Sequence, residues 1–516
     1  MKYSIAISAL AAGAAAVGDK AIRQDGAKPA VDATLLKADI TKANLLAGAQ
    51  KVQDIAYATK DRNRFIGTAG HNATVEWLKQ ELEALDGYYN VTLQTYFEVV
   101  QLNGTINAFS INGTAAPAGS SSLFEHSPTG AVSGKLVLVS NAACNFTDYP
   151  DTLAGNIALI PRGVCEFGLK SAWAGSKGAI GAVMYGGDEE NARCPTRPSL
   201  GNFVRPEGKL IPSVCINRAF GEQFVSAVAN GANLSAVVDV TTDIRNISTT
   251  NVLATTVGGD HNNKLALGAH SDSTNDGPGI NDNGSGVVGV LEVAKALTKY
   301  KVKNAVMFGF WTANMLGLLG SAHYVNNLSA DEAAKIRAYV DVDVIASKNY
   351  INGILDGDGS RFNDTGPPGC AEIEAAFQKY FTSLGQNFTA TEFDGRGDVG
   401  IFVGAGIPGG GLFTGASRNK TEEEARMFGG TAGTPLDPCS NDATCDTVTN
   451  LEVDAWERNV KGIATLVAQY ASSWDGFPER IIAPTKRSVV KPREISHGPR
   501  RGPHYNPIKF DPPVEQ

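Results

Sequence analysis

The residues with the greatest capacity for chemistry lie in two short stretches close together in the chain. Gly268-Ala269-His270-Ser271-Asp272-Ser273 closes an apolar run, and Gly277-Pro278-Gly279-Ile280-Asn281-Asp282-Asn283-Gly284-Ser285-Gly286 follows just ahead of a helical pattern. An imidazole with nearby carboxylates is a donor mixture that suits Zn²⁺. His270 and Asp282 are therefore candidate ligands, and Asp272, two residues past His270, is placed to orient the imidazole from behind. A lone histidine at a strand end is more often structural; the glycine-rich loop carrying Asp282 is what turns the reading toward a metal.

Such loops need elements to hold them. Residues 265–269 read as a short strand, 287–297 as a helix, 305–311 as a buried strand, 316–324 as a helix and 339–345 as another strand. That alternation predicts an α/β fold, a sheet with helices on both faces, in which ligands bind in loops at the carboxyl ends of strands. Upstream, residues 37–60 and 74–85 read as helices, the second with Trp77, Leu78, Leu82 and Leu85 at helical spacing, and 91–112 as strands. Between 134 and 240 the texture changes to short β runs (136–139, 157–160, 182–185) punctuated by Gly, Pro and Asn, which marks an inserted β-rich domain.

The chain has 516 residues, 43% apolar and 19% charged, enough for more than one packed unit. Its net charge of −8 offers no footprint for nucleic acid or an anionic membrane. Lys2 and the apolar run 5–17, with small residues at 14–18, read as a secretory signal over 1–18, too short to span a bilayer. The expected localisation is secreted or vacuolar, with no membrane association in the mature form. Asn72, Asn90, Asn103, Asn112, Asn145, Asn233, Asn246, Asn327, Asn363, Asn387 and Asn419 each begin an Asn-x-Ser/Thr triplet without proline, a density that suits an exported glycoprotein. Asn283 begins another, inside the metal loop, and is expected to be bare. Seven cysteines fit an oxidising compartment. Cys144, Cys165, Cys194 and Cys215 suggest two bridges of open connectivity, Cys439 and Cys445 a short loop, and Cys370 is left over. The stretch 478–516 is basic and Pro-rich without apolar period, as a disordered tail would be.

Over about residues 37 to 475 the sequence resembles the zinc aminopeptidases related to aminopeptidase Y and the secreted fungal and bacterial leucine aminopeptidases. The resemblance rests on Asn63-Arg64-Phe65-Ile66-Gly67-Thr68, the block from His270 to Gly286, Gly317-Leu318-Leu319-Gly320-Ser321, Asp343-Val344-Ile345-Ala346-Ser347, Phe393-Asp394-Gly395-Arg396 and Asp437-Pro438-Cys439. The insertion resembles a protease-associated domain through Ile157-Ala158-Leu159-Ile160-Pro161-Arg162-Gly163-Val164-Cys165-Glu166-Phe167 and Ile211-Pro212-Ser213-Val214. It implies a zinc exopeptidase fold with peptidase-like parts at 37–125 and 250–475 around a protease-associated domain at 130–240. It also implies a peptide or protein ligand.

In that family two zinc ions share an aspartate, a role that falls on Asp282, and the first zinc adds a histidine and an aspartate, here His270 and Asp343. The second zinc's own ligands come from a Glu-Glu pair and a Cys-Tyr-His loop, where this chain has Asn314-Met315 and Cys439-Ser440-Asn441. Asn314 thus occupies the general-base position, Met315 and Asn441 the lost ligand positions, and Ser440 the place of the oxyanion tyrosine. A neutral amide cannot take the proton of a metal-bound water, which alone removes roughly 10² to 10⁴ in rate. Losing the oxyanion donor removes a further ~3 kcal/mol. No Asp or Glu occurs between Phe310 and Ser329 to restore the base, although the cysteine loop is one residue longer than usual and Asp442 is a conceivable substitute ligand. The resemblance with these replacements implies zinc as one ion or none, and an impaired or inactive aminopeptidase. The alternative is an active metallo-exopeptidase that releases N-terminal residues from extracellular peptides. Arg396-Gly397-Asp398 has the letters of an adhesion tripeptide, Lys486-Arg487 and Arg500-Arg501 those of dibasic processing sites, and His323 falls on a predicted helix surface; each has a structural or chance reading that outweighs the functional one.

Overall fold

The computed structural model describes residues 28–163, 165–186, 198–201, 205–363, 365–393 and 395–480. The expected signal at 1–18, Val164, Cys194, Asp394 and the tail beyond residue 480 lie outside these. The described chain forms two units, one from residues up to Tyr96 together with those from Ser248 on, the other from Phe97 to Ile247. Fourteen strands are present among the described residues: β1 Tyr89–Ile111, β2 Thr114–Ala115, β3 Ser121–Leu123, β4 Gly130–Leu138, β5 Ile157–Pro161, β6 Gly181–Tyr185, β7 Ser213–Ile216, β8 Ser235–Thr256, β9 Asp260–His270, β10 Asn304–Trp311, β11 Ile336–Val342, β12 Gly353–Leu355, β13 Thr389–Thr391 and β14 Gly409–Phe413. Both crossings between the units occur inside long strands, β1 and β8.

In the first unit the strand order is β13-β12-β14-β11-β9-β10, with the end of β8 alongside β10. The four strands β14, β11, β9 and β10 run parallel; β8 is antiparallel to β10, and β12 is antiparallel to β14 and parallel to β13. β9, β10 and β11 are buried over most or all of their length, as parallel strands covered on both faces must be. The helices Lys42–Tyr57, Ser285–Leu297 and Val453–Ser472 share one core with the sheet through Leu45, Val52, Val288, Leu291, Trp456 and Val460. A second cluster around Trp311, Tyr339, Leu318 and Phe402 fills in near the helix Leu319–Asn327.

The second unit pairs β4 with β8 and continues β4-β5-β6-β7-β3, with β4 through β7 parallel and β3 antiparallel. Cys144–Cys165 is a disulfide there, and Cys215 is disulfide-bonded as well. In the first unit Cys439–Cys445 closes the short loop and Cys370 is a buried free thiol.

Several boundaries differ from the expectation; the helix expected over 74–85 runs Ala69–Glu83, capped by Thr68. The helix expected over 37–60 is two helices, Ala33–Ala38 and Lys42–Tyr57, because Asp32 and Thr41 each cap a new start with a side-chain oxygen. The strand expected to reach 345 ends at Val342, two residues before Val344 takes a left-handed φ of 50°. The helix expected from 316 begins at Leu319, since Gly317 and Leu318 have φ of 113° and 61°. His323 is half-buried and stacked on Tyr96 at 4.0 Å, so it is not a free surface residue.

Candidate active site

β9 ends at His270, and β11 ends one residue before Asp343, so parallel neighbours deliver both side chains to one end of the sheet. Asp282 arrives from the glycine-rich loop just ahead of the helix Ser285–Leu297. The His270 Nε2 lies 3.2 Å from an Asp282 oxygen and 3.3 Å from an Asp343 oxygen. A tetrahedral zinc with bonds of about 2.0 to 2.1 Å sets its donors about 3.3 to 3.4 Å apart, so the spacing fits one ion. His270 Nε2 and Asp343 Oδ1 are also buried without a hydrogen-bond partner, which is costly unless something else binds them. The three residues therefore fit a zinc ion.

On its other side the His270 Nδ1 lies 3.1 Å from the Asp272 carbonyl and 3.5 Å from its carboxylate, which directs Nε2 to the metal side. Burial lowers the pKa of the His270 imidazole, but the surrounding charges of Asp343, Asp272 and Asp282 outweigh it, and the group is held well above its ordinary value.

The carboxylate of Asp272 has a second duty that the sequence did not disclose. Its two oxygens accept the backbone N–H groups of Asn314 and Met315, both at 3.1 Å. The backbone at Asn314 and Met315 is thus fixed by Asp272. The Asn314 side chain is buried, and its Nδ2 donates to Asp398 at 3.1 Å. Ser321 donates to the other Asp398 oxygen at 2.5 Å. Burial pushes the Asp398 carboxyl up to about 6, against the pull of His270 and these hydrogen bonds. A buried Asp398 cannot serve an adhesion tripeptide.

The cysteine loop is tied to the metal loop through its stem. Asp446 accepts the backbone N–H groups of Asn281 and Asp282 at 2.8 and 3.0 Å, Asp437 accepts Asn281 Nδ2 at 2.7 Å, and Asn450 donates to both carboxylates. At the tip, Asn441 is exposed and Ser440 half-buried. Asp442 is exposed too, and its Oδ1 caps Thr444 at 3.1 Å to the backbone and 2.5 Å to the hydroxyl. It is not among the three donors gathered at His270. A second group of acids, Asp356, Asp358 and Glu374, lies in the same unit and is satisfied by its own loop's amides and Gln378.

Arg64, from the Asn63–Thr68 motif, has a role that its place in the sequence does not reveal. Fully buried, it donates Nε to Pro278 O at 2.9 Å, Nη2 to Gly279 O at 2.6 Å and Nη1 to Ser271 O. Its fork joins the residue after His270 to the turn that leads into Asp282. Gly279, at φ 62°, admits no side chain there, since a Cβ would stand 2.4 Å from Asp282 O and 3.2 Å from Arg64 Nη2. Arg64→Lys keeps the charge and loses the fork. It is expected to weaken zinc binding by at least ~10-fold in competition with a chromophoric chelator, as loss of outer partners of a metal site does. A folded variant that binds zinc as the parent does would refute the assignment.

An α/β sheet thus carries a metal-fitting cluster at its strand ends, and a β-rich unit interrupts the chain that forms it. The sequence matches the Peptidase family M28 model over residues 251–467 and the PA domain model over 132–224. It is 45% identical over 466 residues to leucine aminopeptidase 2 of Arthroderma otae, covering 90% of this chain and 91% of the relative. It is 43% identical over 477 residues to the probable leucine aminopeptidase 2 of Aspergillus fumigatus, covering 92% of each. Among solved structures, the aminopeptidase from Aneurinibacillus sp. strain AM-1 shares the fold with a TM-score of 0.64 at 21% identity, over 88% of this chain and 98% of that one. The zinc aminopeptidase BSAP from Bacillus subtilis does so with a TM-score of 0.53 at 20% identity, over 86% and 97%. The chain belongs to peptidase family M28, in the branch that carries an inserted PA domain.

Proposed function

We propose that this protein is an exported member of the zinc aminopeptidase family that engages the amino end of peptides at a one-zinc centre of His270, Asp282 and Asp343, with hydrolysis reduced relative to family members that keep both metals. Zinc bound there would polarise a substrate carbonyl. The chain's own contribution is to hold His270 in the required tautomer through Asp272, and to shape the metal loop through Arg64 and Asp446. The observation that carries the reading is Asn314, locked at the base position by Asp272 and Asp398 and unable to accept a proton. Export is supported by the apolar run after Lys2, the glycosylation triplets and the disulfides. No helix among the described residues is long and apolar enough to cross a membrane.

The second reading is an ordinary aminopeptidase, and the comparisons favour it over the impaired one. Relatives at 43 to 45% identity over nine-tenths of the chain or more are named leucine aminopeptidases. Metal analysis of the purified protein beside an assay on leucyl substrates, with His270→Ala as control, separates the two. Two zinc ions per chain and ordinary turnover would establish the second.

A further inference from the structure

We infer that His71, a buried imidazole outside the zinc cluster, is a positioning residue: its Nε2 N–H clips the ends of β9 and β10 together and so sets the aim of Asp272. The inference rests on the one-zinc reading above and adds a residue to it. His71 lies in the first turn of the helix Ala69–Glu83, which Thr68 caps, and is buried. That turn is seated on the Arg64 segment: a Cβ on Gly70 would stand 2.0 Å from Asn63 O, so only glycine allows the approach.

The His71 Nε2 lies 3.2 Å from Thr312 Oγ1 and 3.4 Å from Ser271 Oγ. Ser271 follows His270, the last residue of β9, and Thr312 follows Trp311, the last residue of β10. The Ser271 hydroxyl donates at 3.0 Å to Trp311 O, an atom that can only accept, so its own oxygen is left as an acceptor toward the ring. Nε2 therefore carries the imidazole proton and divides it between two oxygens, and the two contacts are correspondingly long. Nδ1 is then a bare nitrogen, buried without a hydrogen-bond partner among the described residues. An apolar side chain would fill the same space without that cost, so packing alone does not account for an imidazole here. Burial holds the imidazole pKa down to about 4, with Asp272 pulling it up and Arg64 pushing it down, so the ring is neutral at working pH.

Past this clip the two strand ends part. One residue beyond Ser271, Asp272 takes the amides of Asn314 and Met315 and turns its carbonyl to His270 Nδ1. Asn314 stands two residues beyond Thr312. The gap set at His71 is the gap that Asp272 has to bridge.

A neutral ring can be replaced by a neutral amide. Glutamine places an N–H where Nε2 stood, whereas leucine fills the space without a donor. Zinc affinity of the purified protein is measured by competition with a chromophoric chelator. It is expected to fall at least ~5-fold in His71→Leu, just under the usual range for direct outer partners of a metal site, and to stay within ~2-fold of the parent in His71→Gln. A role in packing alone would leave leucine no worse than glutamine. Should His71→Leu fail to fold, the double change Ser271→Ala with Thr312→Val keeps the ring, removes both acceptors and is expected to show the same ~5-fold loss. A folded His71→Leu, or a folded double variant, that binds zinc as the parent does overturns the inference and leaves the zinc centre standing. So does a His71→Gln no better than His71→Leu. A parent chain that takes up no zinc overturns both.

Discussion

Purified protein is expected to release leucine from a leucyl anilide at least ~10³-fold more slowly than a relative with an intact Glu-Glu pair. At position 314, where the resemblance puts the general base, stands an amide whose Nδ2 already donates to Asp398 and which cannot take up a proton from water near neutral pH. The carboxylate behind it is no ready substitute, because both Asp398 oxygens are engaged, by Asn314 and by Ser321. The single change Asn314→Glu should recover little. It removes the donor that Asp398 now accepts, and the second metal, which would position the water, still lacks its ligands. Asn314→Glu and Met315→Glu combined with Ser440→Tyr and Asn441→His should recover clearly more. Groups that act on one transition state do not add simply, so the combined variant is the informative one. Wild-type protein that turns over leucyl substrates at ordinary rates, with activity lost to chelator and in His270→Ala, would sink this expectation.

After stringent dialysis at neutral pH, one zinc per chain at most is expected, and His270→Ala should abolish it. Three donors with water in the fourth place make a normal open site. A measured two ions per chain would contradict this and would require Asp442 to abandon Thr444 and turn inward. The pH dependence has a definite sign. In the metal-free chain His270 keeps its proton well above its ordinary pKa because three carboxylates surround it. Zinc must displace that proton, so affinity should rise with pH through the elevated His270 pKa and fall steadily below it. A zinc affinity flat from pH 6 to 8 would contradict the assignment of His270 as ligand.

How much of this was legible in the sequence varies from residue to residue. The strand end at His270 and the loop of Asp282 could be read directly, because a buried strand followed by glycines and a helical pattern is a local signal. Asp343 was reached through family resemblance alone, since it lies past a strand end that periodicity placed three residues too late. Arg64 and Asp398 were in view as letters without a role. Their partners lie 207 to 215 and 77 to 84 residues away, and no periodic pattern encodes such pairings. The double duty of Asp272 was hidden for another reason: it serves backbone groups of residues 314 and 315, which leave no trace in the side chains there.

That last point reaches beyond this chain. Asp272 grips the amides of Asn314 and Met315, Asp437 the amide of Cys439, and Asp446 the amides of Asn281 and Asp282. The scaffold of the site is therefore written largely in main chain; of the side chains it carries, Asn314 is tied to Asp398, whereas Asn441 at the tip of the cysteine loop is exposed. Because carboxylates on backbone amides set the course of these loops, a side chain can change at the exposed tip with little resistance from folding while the architecture stays put.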